Sequence, residues 1–320
     1  MPHTTAHHHA RRQILFGSCC VLLSAFLFAI KAILIKKAYG LDPSLTAPTL
    51  LALRMLSALP FFLFIAAIAP RNATPPTLKD WGLLLLAGLI GYYLASILDF
   101  IGLTYISASL ERIILFLYPT LTVLMMAAMH KRAIHVRTLF AIALSYGGTL
   151  VVMLGEGAQQ AADGSVWTGS FFVFASALAY ALYLVMTPTL IRRFGSWRFT
   201  GLAMSVACIA SIVHYSVVTP APLGLLSHYS WTILGLGVAL GIFSTVLPAT
   251  FLMQGIARVG PSQAAMLSAG GPIMTVVLAV LFLGESLSTL QWVGCGLNIV
   301  GVLMITLRPA QPLVKAGATS

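Results

Sequence analysis

Ser109-Leu-Glu111-Arg112-Ile-Ile-Leu-Phe-Leu-Tyr118-Pro119-Thr-Leu-Thr-Val-Leu-Met-Met-Ala-Ala-Met129 carries no charge after its opening Glu-Arg pair. As a helix rising about 1.5 Å per residue, a run of this length crosses the roughly 30 Å hydrocarbon core of a bilayer. Working outward along the chain, nine similar runs follow or precede it. The ten expected spans are 14–35, 47–69, 81–103, 109–129, 137–155, 167–191, 197–219, 230–253, 261–283 and 290–307. The links between them are short and leave no room for a separate soluble domain.

Composition agrees. Only 8% of the 320 residues are charged and 59% are hydrophobic, with mean hydropathy +0.97. A soluble domain is about a quarter charged, so this chain cannot coat two soluble surfaces. The expected fold class is an all-α integral membrane protein of ten transmembrane helices, with the lipid bilayer as its solvent. The net charge of +11 comes from short basic clusters between apolar runs, which is the pattern that orients membrane helices and not a nucleic-acid footprint. With a cytoplasmic N-terminus, thirteen Lys and Arg fall on the inner side and two, Lys36 and Lys37, on the outer. Both termini, 1–13 and 308–320, are therefore expected to be cytoplasmic tails of a multi-pass protein. Arg11-Arg12 before the first run faintly resembles an export signal, but no small-residue cleavage site follows, so the first helix is read as retained.

The chain repeats itself at an offset of 153 residues. Gly102, Pro119, Thr122, Val123, Leu144, Gly148 and Leu150 fall on Gly255, Pro272, Thr275, Val276, Leu297, Gly301 and Leu303. The expected units are 14–155 and 167–307. Five spans is an odd number, so the second unit must be inverted in the membrane. Inverted repeats mark secondary transporters, whose sites lie near the midplane between the repeats.

Charge inside a bilayer is expensive and usually paired or facing a water-filled path. Five such residues stand out: Lys31, Arg54, Asp99, Glu111 and Arg112, all read as lying in the outer half of the first unit with a summed charge of +1. Two readings compete. Either they pair to tie the outer ends of the first four helices, with Lys31 snorkelling toward the surface. Or they form an outer gate or hold a charged group of a solute, with Asp99 or Glu111 as candidate proton carriers. Tyr92, Tyr118 and Tyr183 lie on polar faces of their helices and suit a cavity for an aromatic or amphipathic solute, or simply pack between helices. Pro119 and Pro272 are repeat-related candidates for kinks. The four cysteines have no metal-ligand spacing, and no phosphate loop or nucleophile elbow is present, so no metal, cofactor or catalytic activity is expected.

Three segments carry a further resemblance. They are Pro261-Ser262-Gln263-Ala264-Ala265 through Gly271-Pro272, Leu283-Gly284-Glu285-Ser286-Leu287-Ser288, and Gly294-Cys295-Gly296-Leu297-Asn298 through Val302. Tyr105 to Thr120 adds a fourth. Together they resemble the EamA-type branch of the drug/metabolite transporter superfamily over residues 14 to 307. The resemblance implies a bacterial inner-membrane carrier working by alternating access on a small organic solute, amino-acid-like or another metabolite, often exported. Two departures stand out: the first helix reads Ser24-Ala25-Phe26-Leu27-Phe28-Ala29 without the frequent Trp-Gly, and His130-Lys131-Arg132 replaces a Gly-Glu-Arg or Gly-Glu-Lys. A non-transporting membrane sensor or scaffold is the alternative from a different class.

Overall fold

The computed structural model describes residues 3–70, 75–131, 134–159, 165–219, 229–268 and 270–306. The tail 308–320 lies outside them, as do Arg71, Arg132 and the side chains of Arg11 and Arg12, all counted among the inner basic residues. Among the described residues all regular structure is helical. The spans are α1 (His3–Leu41), α2 (Ala47–Ile68), α3 (Leu78–Tyr105), α4 (Ala108–Leu115 and Tyr118–Met129), α5 (Val136–Gln159), α6 (Ser165–Phe194), α7 (Ser196–Val218), α8 (Trp231–Gly260), α9 (261–268 and Gly271–Leu283) and α10 (Thr289–Thr306). Nine are long and apolar enough to cross a bilayer by themselves, and α9 completes its crossing in two pieces. This is the all-α membrane fold of ten spans in two inverted five-helix repeats.

Several boundaries differ from expectation for identifiable reasons. α1 runs on to Leu41, six residues past its expected end, because the Lys36 ammonium donates to the carbonyls of Leu103 and Ile106 at 3.2 and 3.1 Å and so need not leave the helix. α3 starts at Leu78 with a reciprocal cap: Asp80 accepts from the Thr77 N–H at 2.8 Å while Thr77 Oγ1 accepts from the Asp80 N–H. α8 runs directly into α9, the chain turning at Gly260 with φ 81°, a left-handed backbone that glycine adopts without a Cβ penalty.

The irregularities repeat at the same offset as the sequence. α4 is interrupted at Phe116-Leu117 and α9 before Gly271, so Pro119 and Pro272 both open a second half-helix, where the missing N–H costs nothing. π-helical turns lie at Leu89–Leu94 in α3 and Ile242–Val246 in α8. Pro188, by contrast, sits inside an uninterrupted α6.

Glycines show how the repeats interlock. A Cβ at Gly102 of α3 would stand 3.0 Å from the Gly169 carbonyl oxygen of α6; a Cβ at Gly255 of α8 would stand 3.0 Å from that of Gly17 in α1. Each repeat thus lays its third helix on the other's first. α5 and α10 meet as closely: Gly148 faces the Gly294 carbonyl and Gly301 that of Ala141. Small residues allow such backbone approach in a bilayer, where van der Waals packing drives association. The perimeter is apolar, with Leu15, Phe64, Phe140, Phe171, Leu281 and Phe282 all exposed, as lipid contact requires.

Candidate functional site

Four of the five intramembrane charges converge, though not as their depths alone suggest. Lys31 Nζ of α1 lies 2.6 Å from Asp99 Oδ2 of α3 and 3.3 Å from Glu111 Oε1 of α4. Asp99 and Glu111 are 2% and 0% exposed, so two buried carboxylates share one ammonium. The expectation that Lys31 snorkels to the surface is corrected: it is buried and is the hub of the group. The cause is the longer α1, which places Lys31 ten residues before the helix end, about 15 Å along the axis.

Arg112 points its Nη2 at the Phe28 carbonyl, 3.0 Å away, and its Nε stands 3.8 Å from Glu111 Oε2. That separation exceeds a hydrogen bond. Asp99 Oδ1, Glu111 Oε2 and Arg112 Nε are all sealed without a partner, so the group is compact but not saturated. Arg54 of α2 stands apart. Its Nε donates to Thr245 Oγ1 of α8 at 2.8 Å and its guanidinium lies 5.5 Å over the Phe100 ring.

The tyrosines form a second, aromatic group. The hydroxyls of Tyr92 and Tyr183 are 3.0 Å apart, bridging α3 to α6 across the repeats. Their rings are 4.8 Å apart, Tyr183 stacks on Tyr180 at 5.7 Å, and Tyr118 meets Tyr180 edge-on at 5.1 Å. The structure therefore joins all three expected tyrosines through Tyr180. The π turn in α3 carries Tyr92, and the one in α8 carries Thr245, its counterpart at the repeat offset.

Two carboxylates escaped the sequence reading. Glu156 accepts from the Ser107 N–H at 2.7 Å and from its hydroxyl, while Glu285 accepts from the Ala108 and Ser109 N–H groups at 2.7 and 3.1 Å and from the Ser109 hydroxyl at 2.6 Å. Together they cap the sunken N-terminus of α4, whose unpaired N–H groups and dipole favour negative charge. Glu285 comes from the second repeat. Ser107 and Ser109 at the head of an apolar run were the available signal for a helix start, but partners 49 and 176 residues away have no local signature. The opposite end of α3 has a looser tie, Asp80 to Arg193 at 3.8 Å. Among the described residues no three His, Cys, Asp or Glu are grouped to hold a metal ion, and all four cysteines are free.

A buried polar centre enclosed by interlocked, inverted repeats with matched helix breaks defines a membrane transporter. The profile of the EamA-like transporter family matches residues 15–154 and again 167–307. The chain belongs to that family. It is 31% identical over 290 residues to the uncharacterized transporter YcbK of Bacillus subtilis (strain 168), covering 89% of this chain and 91% of that one. It is 25% identical to the uncharacterized transporter sll1319 of Synechocystis sp., over 93% and 95% of the two chains. A solved crystal structure superposes with TM-score 0.60 at 17% identity over 91% of this chain and 96% of that one, a likeness of fold alone.

Proposed function

We propose that this protein is a secondary transporter that exports a small organic metabolite, amino-acid-like in character, by alternating access across a bacterial inner membrane, with both termini cytoplasmic. One observation carries the reading: each inverted repeat has a π turn in its third helix and a break in its fourth, and these four irregular points flank the buried polar centre. Broken helices near the midplane are where carriers bind and bend. The units 14–155 and 167–307 move against one another in this reading, and the Glu156 and Glu285 caps hold the outer end of α4 closed.

Lys31, Asp99, Glu111 and Arg112 form the outer gate, and the two carboxylates sharing one ammonium make a proton the coupling ion. Tyr92, Tyr118 and Tyr183 line the solute path, and Pro119 and Pro272 mark its hinges. The protein performs no chemistry on its solute and needs no cofactor. The test is solute flux in proteoliposomes with an imposed pH gradient. Flux that follows the gradient in the wild type and loses that dependence in Asp99→Asn or Glu111→Gln supports the coupling. Flux indifferent to the gradient removes the proton, and no flux of any solute leaves a sensor or scaffold.

A further inference from the structure

Of the three intramembrane cations, Arg54 alone has no described carboxylate in ion-pair contact, Asp99 acting on it only from a distance. Lys31 holds two carboxylates and Arg112 lies 3.8 Å from one of them, but no described carboxylate comes within 4.0 Å of Arg54. Arg54 is only 6% exposed. A buried charge with no partner in contact is costly, and inside a membrane such a residue points to a functional site.

The hydrogen bonds fix how its guanidinium is held. Thr245 Oγ1 lies 2.8 Å from the Leu240 carbonyl, which takes its proton; its lone pair therefore accepts from Arg54 Nε. This arrangement depends on the π turn, which leaves the Leu240 carbonyl available to a hydroxyl five residues on. With Nε held by Thr245, the plane of the guanidinium is fixed. No hydrogen bond among the described residues uses the two terminal amino groups, and they are not among the sealed atoms that lack partners, so they keep some accessible surface and are free to bind. Phe100 covers the guanidinium at 5.5 Å.

Position adds weight. Arg54 is seven residues, about 10 Å, into α2, roughly a third of the way through a 30 Å core. It also lies at the junction of the repeats: Met55 beside it meets Cys208, its own counterpart at the 153-residue offset, sulfur to sulfur at 3.6 Å. The counterpart of Arg54 itself is Ala207, fully buried, so the repeat architecture does not call for a cation here.

We infer that Arg54 is the anchor for a carboxylate group of the transported solute, its free amino fork binding both oxygens. The planar fork matches a carboxylate in a way a lysine does not. This rests on the transport reading and narrows it to solutes bearing a carboxylate.

The test uses the full chain in lipid nanodiscs and thermal-shift measurements with matched probes: L-phenylalanine, L-leucine and L-threonine, each against its methyl ester and its decarboxylated amine, with inorganic phosphate as a separate oxyanion. At least one free acid should stabilise the wild type while its ester and amine do not. Arg54→Gln and Arg54→Lys should weaken that acid at least tenfold, and Thr245→Val, which frees the guanidinium to swing, severalfold. Esters or amines that bind as well as the acids would overturn the inference, as would phosphate alone binding, no acid binding, or Arg54→Gln binding acids undiminished. The acid–ester comparison needs only the wild type, so a misfolded variant does not block the answer. Proteoliposome flux separates the two readings. Wild-type flux that shows no preference for acids over esters, and that Arg54→Gln leaves undiminished, removes the anchor and keeps the transporter, whereas acid binding at Arg54 without any wild-type flux does the reverse.

Discussion

Lys31 of α1 and Tyr183 of α6 occupy matched places: the contacts that pair Gly17 and Val21 with Gly169 and Val173 set these two helices at an offset of 152, which carries Lys31 onto Tyr183. In the first repeat that place holds an ammonium between Asp99 and Glu111; in the second it holds a phenol bonded to Tyr92. Asp99 and Glu111 themselves correspond to Leu252 and Ala264, and Arg54 to Ala207. Yet the π turns, the broken fourth helices and the glycine contacts recur in both repeats. What both keep is explained by the shared architecture. What only one keeps is not required by the repeat, and in the transport reading proposed above it serves the solute or its coupling ion.

The comparison is tested most severely at Lys31. Lys31→Met strands two carboxylates with exposures of 2% and 0%, and losing one partner of a buried pair costs about 3–5 kcal/mol. The triple variant Lys31→Met, Asp99→Asn, Glu111→Gln should recover most of that loss, because no charge is left unpaired. Thermal unfolding in detergent reads both. A triple variant as unstable as the single one would mean that packing, not charge, holds this corner together.

The next effect is at the α4 cap. Glu285→Gln replaces a carboxylate that accepts from two backbone N–H groups and a hydroxyl, and hydrogen bonds to charged groups contribute about 1.5–3 kcal/mol. The expected outcome is faster hydrogen exchange of the amides at Ala108, Ser109 and Leu110, with α9 and α10 unchanged. Because this cap crosses from the second repeat to the first, Glu156→Gln, which acts within the first repeat, should release Ser107 while leaving Ala108 and Ser109 protected.

The spans were legible because hydrophobic length is a local property: about twenty apolar residues suffice, whatever surrounds them. The helix breaks fall just before Pro119 and Pro272, which take the first turn of the following half-helix, where a missing N–H costs nothing. The partners were not legible. Lys31 was expected near the end of its helix because Lys36 and Lys37 read as a polar boundary, but carbonyls from α3 and from the link after it satisfy Lys36 and the helix continues. Glu156 and Glu285 fall outside the expected spans and were not singled out, although Glu156 is only 4% exposed. Both errors come from long-range satisfaction of a polar group, which leaves no trace at the residue itself. The π turns were also invisible, since nothing in Leu89–Leu94 departs from an ordinary apolar helix.

A smaller effect tests the shared half of the comparison. Gly102→Ala and Gly255→Ala each push a Cβ to 3.0 Å from a carbonyl oxygen on the other repeat's first helix. Overpacking costs typically about 1–3 kcal/mol, and the matched geometry predicts nearly the same loss of Tm for the two variants. A large inequality would show that the two interlocking contacts are not equivalent supports.

The smallest effect belongs to the tyrosine pair. Tyr92→Phe and Tyr183→Phe each remove one hydroxyl from a 3.0 Å contact, a loss of about 1 kcal/mol. The contact can be lost only once, so the double variant should cost less than the two singles together, and a double-mutant cycle measures the shortfall directly. The rings stay, so Tyr180 keeps its stacking on position 183 and its edge contact with Tyr118. Flux should then separate two roles for the hydroxyls. If they only join α3 to α6, both singles should slow transport alike, because each breaks the same bond between the repeats. If one hydroxyl meets the solute in the open state, its variant alone should raise KM, and the equality expected of a purely architectural pair would be broken at the position matched to Lys31.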